Sequence, residues 1–206
     1  MYVNSKVVWK EGMFLQPQHF QQAERYLLNT MNSRMAVYNP FFYGTFEVEV
    51  DRDALVNNLF TLTRCSGVLP DGIPFSIPRE DQVPASRSFT EFFTHDQQFL
   101  DVFLGLPLVA EGKPNASSAV SESHVNYRYK SKMTGIADDV FGTQRKEIEL
   151  GAHNYQILFG GESLDAFATL QIGRLKRAAN GQISLQENYI QPLLQIGGSR
   201  FLMVQI

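Results

Sequence analysis

The sequence predicts a mainly β chain: an antiparallel, jelly-roll-like β-sandwich preceded by an extended amino-terminal arm and one α-helix. Three observations carry this. Apolar residues fall at helical spacing in one stretch, Gln18 to about Tyr38. From Phe41 onward they fall at every second position, the period of a half-buried strand. Turn signals punctuate the alternating runs, with no regular exchange of strand and helix patterns, which argues against a parallel α/β sheet.

The first sixteen residues have no regular pattern but hold Val7, Val8, Trp9, Met13, Phe14 and Leu15, interrupted by Gly12 and closed by Pro17. Free termini are ordinarily polar, so this arm must be covered, either by its own domain or by another protein. The helix follows. Phe20, Ala23, Leu27, Met31 and Met35 recur at spacings of three or four and share one face. Pro17 suits a first helical turn, where its missing N–H costs nothing. Asn39-Pro40 ends the run, because a residue before proline avoids helical backbone angles.

Strands come next. Phe46, Val48 and Val50 alternate with acidic residues; Val125, Tyr127 and Tyr129 alternate with Asn126, Arg128 and Lys130. Ile148 and Leu150 alternate with Glu147 and Glu149, and Ala168, Leu170 and Ile172 with Thr169 and Gln171. Shorter runs occupy Leu59–Arg64, Phe99–Leu106, Tyr155–Phe159 and Gln182–Gln186. Between them stand Pro70-Asp71-Gly72, Gly112-Lys113-Pro114, Gly160-Gly161 and the hairpin signal Asn180-Gly181. Pro74–Ser88, with three prolines, reads as a surface excursion, and Lys113–Glu122, small and polar, as a loop.

Composition bounds the function. The chain has 206 residues, 44% of them hydrophobic and 12% aromatic, which excludes a wholly disordered chain. The net charge of −3 does not favour nucleic acid or an anionic membrane surface. No run of 18 apolar residues occurs, so no transmembrane helix or direct membrane insertion is expected. The amino terminus lacks signal-peptide organisation. A single cysteine, Cys65, fits a reducing compartment. A cytoplasmic location is expected, and Asn115-Ala116-Ser117 is then a chance sequon.

Residues that could carry chemistry are scattered. His19, His95, His124 and His153 form no short-spaced pair, and one cysteine cannot complete a zinc set. No metal, no cofactor and no catalytic residue is therefore expected. Asp51-Arg52-Asp53 lacks the downstream residues of a calcium loop and reads as a strand-end turn. Glu80-Asp81 and Asp138-Asp139 are acidic pairs in loops. Cys65 reads as a packed small residue. Tyr127 and Tyr129, with Phe41, Phe42 and Tyr43, could build a sugar platform but serve equally as strand residues. Arg174, Lys176 and Arg177 read as a solvated hairpin.

The block from Val8 to Gln22 is too apolar for a tail and too polar for core. On physical grounds it either packs on its own sandwich or docks a partner through Trp9, Phe14 and Phe20. Trp9, Glu11, Gly12, Met13, Phe14, Leu15, Pro17, Gln18, His19, Phe20 and Gln21 match the opening of one family. The block resembles the start of the TssK family of type VI secretion baseplate subunits. Weaker matches follow at Pro40–Gly44, Leu69–Phe75, Gly161-Glu162 and Tyr189–Leu194. The family usually has Trp where Tyr43 stands and two prolines where Gln191-Pro192 stands.

The resemblance implies a shoulder domain similar to that of phage receptor-binding proteins, with no enzymatic activity. It implies a homotrimer whose shoulder docks the wedge subunits TssF and TssG. A helical neck and a head that contacts TssL and TssM would follow beyond this chain. It also tips the arm towards partner docking, with Val8, Trp9, Met13, Phe14, Leu15, Gln18, His19 and Phe20 as expected partner-binding residues. The chain then divides into a docking arm (1–17), a helix (18–38), the shoulder sandwich (39–196) and an unassigned segment (197–206). Two other classes remain: a carbohydrate- or receptor-binding jelly roll using Tyr127 and Tyr129, and a cupin-like metalloenzyme.

Overall fold

The structure is a computed structural model that describes residues 4–117 and 126–205. The expectations placed on Val125, on His124 and on residues 118–122 lie outside them. The chain forms two compact units, one ending at Phe42 and the other beginning at Tyr43.

The first unit is built on helix α1 (Pro17–Tyr38), with Pro17 at its first position as the sequence predicts. Asn39 ends it, its N–H donating to the Met35 carbonyl at 2.8 Å. None of its residues is buried. Of the predicted apolar face only Ala23 is half-buried; Phe20, Leu27, Met31 and Met35 are exposed.

The second unit opens with β1 (Gly44–Val50), where the Phe46-to-Val50 alternation was read, and then α2 (Arg52–Val56). This short helix corrects the strand-end turn expected at Asp51-Arg52-Asp53. The Asp51 side chain caps it, accepting from the N–H groups of Asp53 and Ala54 at 2.9 and 3.2 Å. The Leu59–Arg64 run is two strands, β2 (Leu59–Phe60) and β3 (Leu62–Val68). Next comes β4 (Pro74–Ile77), a correction to the surface excursion. Pro74 only begins that strand; Phe75 and Ile77, two apart, both reach the core. Strands β5 (Arg87–Ser88), β6 (Phe99–Pro107), β7 (Tyr129–Ala137) and β8 (Arg145–His153) follow. The chain continues through β9 (Gln156–Phe159), β10 (Phe167–Arg177) and β11 (Ile183–Leu185) and ends in α3 (Arg200–Gln205).

Two antiparallel sheets dominate, β1-β3-β4 and β11-β10-β6-β9, beside the small pairs β2–β5 and β7–β8. One core lies between the two sheets. Leu62, Cys65, Phe75 and Ile77 come from the first; Leu100, Val102, Leu104, Leu106, Ile157, Phe159, Ala168, Leu170, Ile172 and Leu175 come from the second. Even-numbered β6 residues face inward, as period two requires. In β10 the parity breaks. A bulge between Gln171 and Gly173 inserts one residue opposite β6, so Ile172 and Leu175, three apart, both point inward. Residues 192–194 close the first sheet's far side. Thr45 donates its N–H to the Pro192 carbonyl at 2.8 Å and accepts from Leu194 N–H at 2.9 Å.

The Asn180-Gly181 hairpin joins β10 to β11 as expected. Lys176 is exposed, but Arg174 and Arg177 are half-buried and tied inward, which corrects the solvated reading for the two arginines. Arg174 donates from Nε to Asp101 Oδ1 at 2.5 Å and lies over the Tyr189 ring. Arg177 lies 4.5 Å from the Phe93 ring centroid and donates to the Phe93 carbonyl. Both are internal ties to β6 and the loop before it.

Candidate functional site

The site is assembled by local contacts within the first unit. Gly12, at φ +74°, adopts the left-handed backbone that glycine tolerates, and Met13 N–H closes the turn on the Lys10 carbonyl at 3.3 Å. The arm then meets α1. Gln16 N–H donates to His19 Nδ1 at 3.1 Å, and His19 N–H donates back to the Gln16 carbonyl at 3.0 Å. This reciprocal pair satisfies donors that a helix start leaves open. Trp9 lies over the same turn, its ring centroid 6.2 Å from His19 and 6.3 Å from Phe20. Gln22, one turn on, donates from Nε2 to the Ser5 carbonyl at 2.9 Å. The arm therefore doubles back along the first turns of α1.

That backbone order leaves apolar side chains uncovered. Phe14 is 83% exposed, Phe20 57% and Trp9 49%; Val8 and Leu15 are also exposed. Met13 and His19 are half-buried and Gln18 is exposed. The eight expected residues thus lie in one arm-and-turn unit, where His19 serves as cap and stacking partner. The sequence reading missed the extension of this surface along α1 through Leu27, Leu28, Met31 and Met35. The helical spacing of Leu27, Met31 and Met35 put them on one face with Phe20, but spacing alone does not say whether that face is covered.

Elsewhere the polar groups are engaged in structure. His153 Nδ1 lies 3.3 Å from Asp81 Oδ1, and its ring sits 5.5 Å from both Tyr129 and Tyr155. Asp81 also accepts from Ser76 N–H. Burial, with the Glu47 charge second, pushes the Cys65 thiol far up, so it stays protonated. Among the described residues no three His, Cys, Asp or Glu side chains converge on one point. Tyr127 lines a hollow of about 500 Å³ with Asn126, Lys130 and Asn154, but Tyr129 does not line it. Both tyrosines are half-buried. No helix among the described residues is long and apolar enough to cross a membrane.

The second unit is an antiparallel β-sandwich, and the arm of the first keeps its aromatic side chains exposed. The comparisons place the chain further. The family model described as "Bacterial Type VI secretion, VC_A0110, EvfL, ImpJ, VasE" matches residues 19–206, and the chain belongs to that family. It is 33% identical over 198 residues to the type VI secretion baseplate component TssK1 of Pseudomonas aeruginosa, covering 95% of this chain and 44% of TssK1. Among solved structures, it superposes on a chain of a TssK–TssF–TssG baseplate subcomplex with a TM-score of 0.82 and 27% identity, covering 98% of this chain and 66% of that one. It superposes on a TssK crystal structure with a TM-score of 0.83 and 26% identity, covering 98% of this chain and 45% of that one. The chain spans about half the length of TssK1 and of the TssK crystal chain, and it matches their amino-terminal portion.

Proposed function

We propose that this chain is the wedge-facing part of a type VI secretion baseplate adaptor and that its mechanism is binding. Arm residues 1–17 and the start of α1 form the surface that docks TssF and TssG. The shoulder over 39–196 carries that surface, and three copies act together. A carboxyl-terminal neck and head link the assembly to TssL and TssM on the cytoplasmic side. One observation carries this reading: Val8, Trp9, Phe14, Leu15 and Phe20 remain exposed on a backbone already held by the Gln16–His19 pair and the Gln22–Ser5 bond. A backbone already held in place leaves less of the arm to be ordered when a partner arrives, which lowers the cost of binding. Supporting it, a chain of similar fold stands in a TssK–TssF–TssG subcomplex.

The test is capture of co-expressed TssF–TssG by this chain. Deleting residues 1–17 should abolish capture while the far-ultraviolet spectrum keeps its β signature. Trp9→Ala with Phe14→Ala should weaken capture by about 2 kcal/mol or more, as buried aromatic anchors do. Undiminished capture by the deletion variant overturns the reading. Loss of folding on deletion would show the arm to be core and overturn it equally.

A further inference from the structure

Strands β7 and β8 pair with each other over nine residues each, from Tyr129↔His153 to Ala137↔Arg145, and among the described residues the one further pairing is the Ala116↔Tyr129 bridge at the start of β7. A two-stranded ribbon is marginal in water unless a further strand or a helix covers it. Its two faces differ. Residues 129, 131, 133, 135 and 137 lie with 145, 147, 149, 151 and 153, a face that holds Glu147 and Glu149, the latter accepting from the Ser131 hydroxyl. Residues 130, 132, 134 and 136 lie on the other face with 146, 148, 150 and 152.

This second face has a distinct chemistry. Ile136, Ile148 and Leu150 are all exposed on it and lead towards Val140 and Phe141 at the ribbon's tip, exposed by 82% and 68%. Lys130, Lys132 and Lys146 flank them, all exposed, and the face carries no acidic residue. None of the three lysines forms an ion pair among the described residues. An apolar stripe between unpaired cations complements an apolar stripe between anions. Nine residues extend ~30 Å, the length of a helix of about 20 residues, and a helix is the layer such a ribbon lacks.

Among the described residues the chain's own helices do not supply this partner, and the five-residue α2, with Arg52 and Asp53, is too short and carries no net charge. The charged residues of α1 are Glu24, Arg25 and Arg34, a net positive set, and α3 carries only Arg200. Among the described residues, a second copy therefore offers no acidic helix to the face. We propose that the Lys130–Lys132–Lys146 face of the β7–β8 ribbon docks an acidic amphipathic helix of another protein. This is a second interaction surface, independent of the arm.

The probe is a fluorescein-labelled amphipathic peptide of about 20 residues, with Leu at helical spacing flanked by Glu. Versions with each Glu replaced by Gln or by Lys are controls, and anisotropy is read on the full chain. The Glu peptide should bind at least about tenfold more tightly than the Gln peptide, with the preference shrinking as salt rises. The triple variant Lys130→Glu, Lys132→Glu, Lys146→Glu should reverse the order in favour of the Lys peptide. The milder Lys130→Gln, Lys132→Gln, Lys146→Gln set should abolish the preference if the reversal prevents folding. Trp9→Ala with Phe14→Ala should leave it unchanged, which separates this surface from the arm. No binding of the Glu peptide, equal binding of Glu and Gln peptides, or insensitivity to the lysine variants overturns the proposal. So does self-association removed by those variants, stronger binding to phosphatidylserine vesicles than to the peptide, or new amide protection along the open β8 edge, the mark of an added strand.

Discussion

At the scale of single residues the fold depends on a few buried groups with no substitute. Arg128 is one. Its guanidinium is almost fully buried, donating to Asp71 Oδ2 at 2.7 Å and to the Pro107 carbonyl at 2.8 Å. Removing one partner of such a pair strands the other, so Arg128→Met should cost about 3–5 kcal/mol in urea unfolding. Gly67 is another. A Cβ there would lie 2.2 Å from the Gly44 carbonyl oxygen and 2.9 Å from Thr45 Cα, forcing β1 and β3 apart. Gly67→Ala should therefore destabilise by about 1–3 kcal/mol, whereas alanine at Gly135, with open space around it, should not. Alkaline stability follows from two buried acids. Cys65 and Tyr155 are both raised above their ordinary values of 9.0 and 10.0, chiefly by burial. The Tyr155 hydroxyl has no partner among the described residues. The unfolded chain loses these protons first. Stability present below pH 9 is therefore lost as pH rises, at up to ~1.4 kcal/mol per pH unit for each group. The urea midpoint should fall between about pH 8 and pH 11. In Cys65→Ala the fall should begin nearer the tyrosine's 10.0; a midpoint flat to that limit would contradict the burial of both groups.

At the scale of elements, the same apolar spacing means different things in different places. Leu104 on β6 is fully buried between sheets, and Leu27 on α1 is 60% exposed. Leu104→Ala should cost about 2–5 kcal/mol, and Leu27→Ala less than about 0.5 kcal/mol. Amide exchange should separate the elements in the same order, with β6 and β10 opening only on global unfolding and α1 well before. This contrast also explains what the sequence could disclose. Strands whose faces differ in environment were legible: β1 alternates Val with Glu, and the first six residues of β6 alternate less buried with buried positions. The alternation read from Val125 to Lys130 overlaps β7 only at Tyr129 and Lys130, with Asn126, Tyr127 and Arg128 outside any strand, and the rest of β7 was hidden because Ser131, Lys132, Gly135 and Ile136 belong to a ribbon with no buried face. The second half of β10 was hidden by its bulge, which moves Leu175 out of phase with Ile172. Strand β4 was hidden by Pro74 and Pro78, whose turn signal outweighed Phe75 and Ile77. In the site, the arm's aromatics were conspicuous as residues. That Trp9 folds back on His19 was not, since a ring contact between the irregular arm and the first turn of α1 has no periodicity to betray it.

At the scale of the whole molecule, apolar groups stay uncovered on the arm and on the β7–β8 ribbon, and the core explains neither. Leu104 and its neighbours complete one sandwich without help from Phe14 or Phe141. Selection for folding alone does not favour such groups in water, because exposed apolar patches invite association. On the proposed reading they are tolerated because the working assembly holds several copies, each contributing a modest contact. The arithmetic of linked binding makes this testable. Fusing a trimeric coiled coil after Gln205 should raise apparent affinity for immobilised TssF–TssG by roughly 10²–10⁴-fold over the unfused chain, with no new contact made. Adding Trp9→Ala and Phe14→Ala to all three copies should remove nearly all of that gain, since avidity multiplies each arm's affinity and cannot replace it. A fused trimer no tighter than the single chain would mean that only one arm reaches the wedge at a time. The adaptor would then work as a monovalent plug.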